Sequence, residues 1–237
     1  MPMSLRNKAR RLPFSMLAAL LTGAAGFAFA GALDALTNKE ASGGLKTALS
    51  QGIDVAVSQL GKPNGFLLDP KVMIPLPPAL QKADKALRLL GMSGQADQLK
   101  AAMNHAAESA VAEAKPVFKD ALQKMTLADA KAILSGGENA GTQYFRGATS
   151  AQLTATFKPI VARATAKVQL ASLYDQYAGK AASLGLLKSQ DANLNDYVTS
   201  KALDGLFSRI AEEERDIRKD PLGQASSLLR KVFGAAR

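Results

Sequence analysis

The sequence predicts an all-α fold, a single-domain bundle of about eight helices. Three observations lead there. Apolar residues recur near every third or fourth position through most of the chain, the period of one helix face. Glycine, proline and capping pairs punctuate the chain at helix-length intervals. Cysteine is absent, so no disulfide framework competes with a packed core.

Residues 1–30 stand apart. Arg6, Lys8, Arg10 and Arg11 form a basic head, and an apolar run from Leu12 to Phe29 follows. It closes on Ala28-Phe29-Ala30, the small-x-small pattern that signal peptidase cuts. Pro13, Ser15, Thr22, Gly23 and Gly26 interrupt the run, so it falls short of the about 20 apolar residues of a spanning helix. The expectation is a cleaved bacterial signal peptide over 1–30 and a helical domain over 31–237 in the periplasm. Phenylalanine stands three residues after Arg11, with Pro13 between, which favours ordinary export over the twin-arginine route. Without cysteine there is no lipoprotein anchor.

Thr37 and Glu40 have capping-box spacing. Ala41, Leu45, Leu49, Ile53, Val57 and Leu60 then form one stripe, and Gly61 is the expected cap. Pro63, Pro70, Pro75, Pro77 and Pro78 mark an ordered loop over 61–78. Within it, Phe66-Leu67-Leu68 and Val72-Met73-Ile74 flank Asp69-Pro70-Lys71, the pattern of a short hairpin. A helix from about Pro78 buries Leu80, Ala83, Leu87 and Leu90 and stops at Gly91. The next, from about Gln95, turns Leu99, Met103, Ala106 and Ala110 inward. Lys115-Pro116 breaks the chain before Val117, Phe118, Ala121, Leu122 and Met125. Thr126 and Asp129 cap a helix through Ile133-Leu134, and Gly136-Gly137 ends it. Separate helices are expected from about Ala140 to Arg146 and from about Ala151 to Gly179, the second disturbed at Pro159.

From about Asn193, Leu194, Val198, Ala202, Leu206, Ile210 and Ile217 share a face. Arg209 with Glu213, and Glu214 with Arg218, have the four-residue spacing of exposed ion pairs. Asp220-Pro221 introduces a last basic, amphipathic helix with Leu222, Ala225, Leu229, Val232 and Phe233 inward.

The net charge of +10 falls to +6 without the four basic residues of the head. Most of the excess lies in 141–190, where Arg146, Lys158, Arg163, Lys167, Lys180 and Lys188 face Asp175 alone. Such a surface suits an anionic lipid face or an acidic envelope protein. Nucleic acid is not an expected partner, because tryptophan is absent and no aromatic residues alternate with the basic ones.

Candidate chemistry is sparse. His105 is the only histidine; Glu108 shares its helix face, but no second histidine or cysteine completes a metal site or a triad. No metal or cofactor is expected. Gly136 and Gly141 have phosphate-loop spacing, yet Thr142 stands where lysine is required. Glu212, Glu213, Glu214 and Asp216 form the densest acidic cluster, read as a salt-laced exposed face. If a catalytic cleft exists, Tyr144, Arg146, Tyr197, Glu213 and Glu214 are the residues expected to line it.

Several stretches carry a resemblance. They are LGKPNGFL at 60–67, IPLP at 74–77, AKPVF at 114–118 and MTLADAKAIL at 125–134. QYFR at 143–146, FKPIV at 157–161, the long DYVTSKALDGLFSRIAEEERDIRKDP at 196–221 and LLRKVFG at 228–234 complete the set. Together they resemble the bacterial exported family catalogued as domain of unknown function 4197. The resemblance implies a helical envelope protein with no established activity and no catalytic residue to carry over. It also implies arginine as the usual residue at the position of His105, which argues against an obligatory role for that histidine.

The leading function class is a non-enzymatic envelope protein that binds a macromolecular or lipid partner. The alternatives are a carboxylate- or tyrosine-dependent hydrolase in a helical cleft and a carrier of a small apolar ligand.

Overall fold

The computed structural model describes residues 38–186 and 193–219. These form eight helices: α1 (Asn38–Leu60), α2 (Pro78–Leu89), α3 (Ser93–Val111), α4 (Lys115–Lys124), α5 (Leu127–Ser135), α6 (Ala140–Lys167), α7 (Leu170–Ser183) and α8 (Leu194–Lys219). The expected signal peptide, the capping residue Thr37 and the last amphipathic helix lie outside the described residues. The all-α expectation holds, with no strand among the described residues.

Local chemistry sets most of the boundaries. Pro78 opens α2 at a position where the missing N–H costs nothing. Gly91 closes it with φ +80, and the Met92 N–H reaches back to the Leu87 carbonyl. Thr126 and Asp129 form a complete capping box on α5, each side chain meeting the other's backbone N–H.

Two expectations fail. The 61–77 segment is ordered but is not a hairpin. It winds through tight turns, with Leu68 N–H on the Asn64 carbonyl and Met73 N–H on the Asp69 carbonyl. The amides of Asn64, Phe66, Leu67 and Ile74 bind side chains of α3 instead of a paired strand. Residues 140–167 also make one helix, continuous through Gly147 and Pro159. Thr149, Ser150, Thr154 and Thr156 each donate a hydroxyl to the carbonyl four residues back. The break comes instead at Gln169, in the left-handed region at φ 50.

One hydrophobic cluster runs from Leu45 in α1 to Ile217 in α8 and takes residues from all eight helices. α6 and α8 are its most extensively paired helices, and α3 packs against both. At the centre, Phe118 of α4 meets the rings of Phe145 (5.5 Å, 89°) and Phe207 (6.1 Å, 83°) edge-on.

Candidate functional site: the α6–α8 valley

The buried carboxylates serve the fold. Glu214, 4% exposed, points at the first turn of α6. Its oxygens accept from Gly141 N (2.9 Å), Thr142 N (2.8 Å) and Thr142 Oγ1 (2.8 Å), and Arg218 binds it from the next turn of α8. A helix N-terminus attracts an anion through its free amides and dipole. The stretch with phosphate-loop spacing is therefore an anion site already filled by the protein's own glutamate. Glu108, also 4% exposed, does the same for the proline-rich loop, accepting from the amides of Asn64, Phe66 and Leu67. His105 Nδ1 lies 2.8 Å from Glu108 Oε2 at the half-exposed rim. Asn104, fully buried, bonds both the N–H and the carbonyl of Ile74.

The five candidate cleft residues take separate places. Tyr144 packs edge-on to Phe145, and burial pushes its phenol above the ordinary range, with Asp129 adding to it. Tyr197 donates to the carbonyl of Pro75, and burial pushes it up as well. Glu214 is the α6 anchor. Glu213 faces a groove between α1 and α8. Arg146 alone of the five lines the valley between α6 and α8. The expected Arg209–Glu213 pair is not formed. Arg209 instead reaches Glu212 and Asp69, fastening the proline-rich loop to α8 together with the Lys71–Glu212 pair. The Glu214–Arg218 pair forms, but in the interior rather than on an exposed face.

The valley is built on one ridge of α6. Arg146, Ser150, Thr154, Lys158, Ala162 and Ala166 are spaced by four and lie along it. At 1.5 Å per residue, those twenty steps span about 30 Å. The ridge lines two successive depressions of about 320 and 650 Å3. In the first, Arg146 meets Asp204 at 3.4 Å and Lys158 meets Asp196 at 2.9 Å, all four groups half-exposed. The Arg146 guanidinium also stands 4.6 Å above the Phe207 ring centre. Ser150 and Thr154 spend their hydroxyl protons on helix carbonyls and keep lone pairs for an incoming donor. Thr199 Oγ1 is buried there without a hydrogen-bond partner. The second depression is lined by Thr165, Gln169, Ser172, Tyr174, Asp175 and Asn195, with Thr165 bonded to Asn195 at 2.8 Å.

In the first depression Asp196 and Asp204 are matched to Lys158 and Arg146, and no histidine lies among the lining residues of either depression. Among the described residues, no three metal-ligating side chains cluster, and no helix is long and apolar enough to cross a membrane. Sequence reasoning missed Ser150 and Thr154, and placed Lys158 only in the basic middle third. Their four-residue spacing from Arg146, one step off the core stripe Phe145–Thr149–Leu153–Phe157, is the signal that exposes them.

Fold and site together define an all-α protein with a long polar surface valley. Within that class, the chain belongs to the family described as Protein of unknown function (DUF4197), which matches residues 35–234. No curated protein and no solved structure matches it. Three of the stretches that carry the resemblance meet in the first depression: Arg146 ends QYFR, Lys158 lies in FKPIV, and Asp196 to Phe207 belong to the long α8 stretch.

Proposed function

We propose that this chain is an exported, non-enzymatic binding protein of the bacterial envelope that holds an extended acidic partner along the α6–α8 valley. The observation that carries this reading is the α6 ridge itself, about 30 Å long, with charged and hydroxyl groups at Arg146, Ser150, Thr154 and Lys158 and the small Ala162 and Ala166 beyond them. An extended peptide of about nine residues has that length. Arg146 and Lys158 in the valley are answered by Asp204 and Asp196, so the cationic excess that supports an acidic partner lies elsewhere on α6 and α7. Arg163, Lys167 and Lys180 are exposed and form no ion pair among the described residues. The basic head and small-x-small site of residues 1–30 support export.

A photo-crosslinking amino acid at Ser150 in living cells tests the binding. A discrete envelope-protein adduct is expected, absent with the crosslinker at Lys82 on α2 and weakened by Arg146→Glu with Lys158→Glu. No adduct at Ser150 overturns the proposal. So does salt-sensitive sedimentation with anionic vesicles that equals or exceeds protein binding, since that makes lipid the partner. Export predicts a periplasmic protein whose N-terminus is Gly31.

A further inference from the structure

A second groove, independent of the valley, separates α1 from α8. Gln51, Gly52, Asp54 and Val55 form one wall and Glu213, Asp216 and Ile217 the other, around about 550 Å3. At Gly52 the two helices approach closely, so that an added Cβ would sit in ordinary contact with Glu213 Cβ at 3.4 Å and Ile217 Cδ1 at 3.5 Å. Beneath the groove, Ala48, Leu49 and Ile210 are buried core, so the apolar part of the groove itself is Val55 with Gly52 and Ile217. Val55 is left 39% exposed at the rim.

The groove is acidic. Lys115 answers Asp54 at 3.1 Å, but Glu213 and Asp216 have no ion-pair partner among the described residues. Burial, aided by Asp216 and Glu212, pushes the Glu213 carboxyl above its ordinary range despite Arg209. An exposed valine beside carboxylates without ion-pair partners among the described residues calls for an amphipathic, basic occupant.

The chain itself supplies one. α8 ends at Lys219, three residues beyond Asp216 in the groove wall. The eighteen residues that follow carry Arg230, Lys231 and Arg237 against Asp220 alone. Leu222, Ala225, Leu229, Val232 and Phe233 have the spacing of one apolar face. The family match extends to residue 234, so this stretch belongs to the same unit as the groove. We propose that residues 222–233 dock into the α1–α8 groove, with the apolar positions over Val55, Gly52 and Ile217 and Arg230 and Lys231 against Glu213 and Asp216.

The absence of cysteine makes the test clean. In the chain 31–237, Val55→Cys is combined with Leu229→Cys or with Val232→Cys. Leu89→Cys with Val232→Cys is the control, because α2 packs on α3 and α7 rather than on α1. Under mild oxidation, at least one Val55 pair is expected to close within the monomer about tenfold faster than the control, as a tethered neighbour does. Glu213→Lys with Asp216→Lys slows that closure, and adding Arg230→Glu with Lys231→Glu restores it. Closure at the control rate overturns the proposal. So does a concentration-dependent dimer, which places a second copy in the groove, or charge reversal without effect on the rate.

Discussion

At the scale of single residues, the chain spends its two most buried carboxylates on its own backbone. Glu214 closes the first turn of α6 and Glu108 closes the proline-rich turn around Asn64, itself at φ 63. A carboxylate so enclosed is held by charge-assisted bonds whose donors have no substitute once it is removed. Glu214→Ala leaves the Gly141 and Thr142 amides without their acceptor and deprives Arg218 of its anion. The expected cost is about 3–5 kcal/mol, read as a lower urea midpoint, because breaking a buried pair strands its partner. His105→Ala is the contrast. Its ring is half-exposed, so the loss stays within about 1 kcal/mol, the range of surface pairs. Equal losses at the two positions would contradict the assignment of Glu214 as an anchor. Gly141→Ala belongs with Glu214→Ala, since a Cβ there meets Leu49 Cδ2 at 2.7 Å and Glu214 Oε1 at 3.1 Å.

At the scale of elements, the 61–77 loop behaves as a part of the core fastened from two sides. Asn104 and Glu108 of α3 hold its backbone, while Tyr197, Arg209 and Glu212 of α8 hold its carbonyls and charges. Lys71 keeps the Glu212 carboxyl below the usual range, with Arg209 and Arg215 adding to the effect. Asp97, held down by Arg88, and Asp129, held down by the Thr126 amide, shift the same way. A carboxyl depressed in the folded state stabilises above its unfolded pKa, and that stability is lost as pH falls through the lower, folded value. The urea midpoint should therefore hold between neutral pH and the carboxylate range, then decline below about pH 4. Lys71→Met should reduce the decline and speed amide exchange in the loop; an unchanged acid limb would remove the clamp from the account. The helices were legible in the sequence because stripes such as Leu194–Val198–Ala202–Leu206–Ile210 repeat with the helical period. The loop's fastening was not, because its partners sit 30 to 141 residues away. Glu214 left one trace: the α8 stripe skips from Ile210 to Ile217, and the missing turn is where the buried glutamate lies. The merger of 140–167 into one helix was hidden by Gly147 and Pro159, whose local preference the long α6–α8 contact overrides.

At the scale of the whole molecule, a chain without cysteine depends on one continuous core, and that core has an aromatic centre. Phe118, Phe145 and Phe207 are each at most 1% exposed and come from α4, α6 and α8. Through them the α1–α5 end and the α6–α8 valley share one contact. Alanine-rich packing elsewhere brings the helices close but buries little area per residue, as along Ala102, Ala106, Ala107 and Ala110 of α3. The aromatic triad therefore carries a large share of the apolar burial that couples the helices. Phe118→Ala removes both edge-on contacts at once and opens a cavity between three helices. The expected loss is about 3–5 kcal/mol, the range for a buried phenylalanine. Because the hub joins elements from both ends, the loss should lower one cooperative transition. Tyrosine fluorescence, which reports Tyr144, Tyr174, Tyr177 and Tyr197 in α6, α7 and α8, and far-ultraviolet dichroism of all the helices should then fall together. Two separated transitions in the Phe118→Ala chain would mean that α1–α5 and α6–α8 are held by contacts other than this hub. Coincident transitions shifted by less than about 1 kcal/mol would mean that the neighbouring alanine helices close over the space Phe118 leaves.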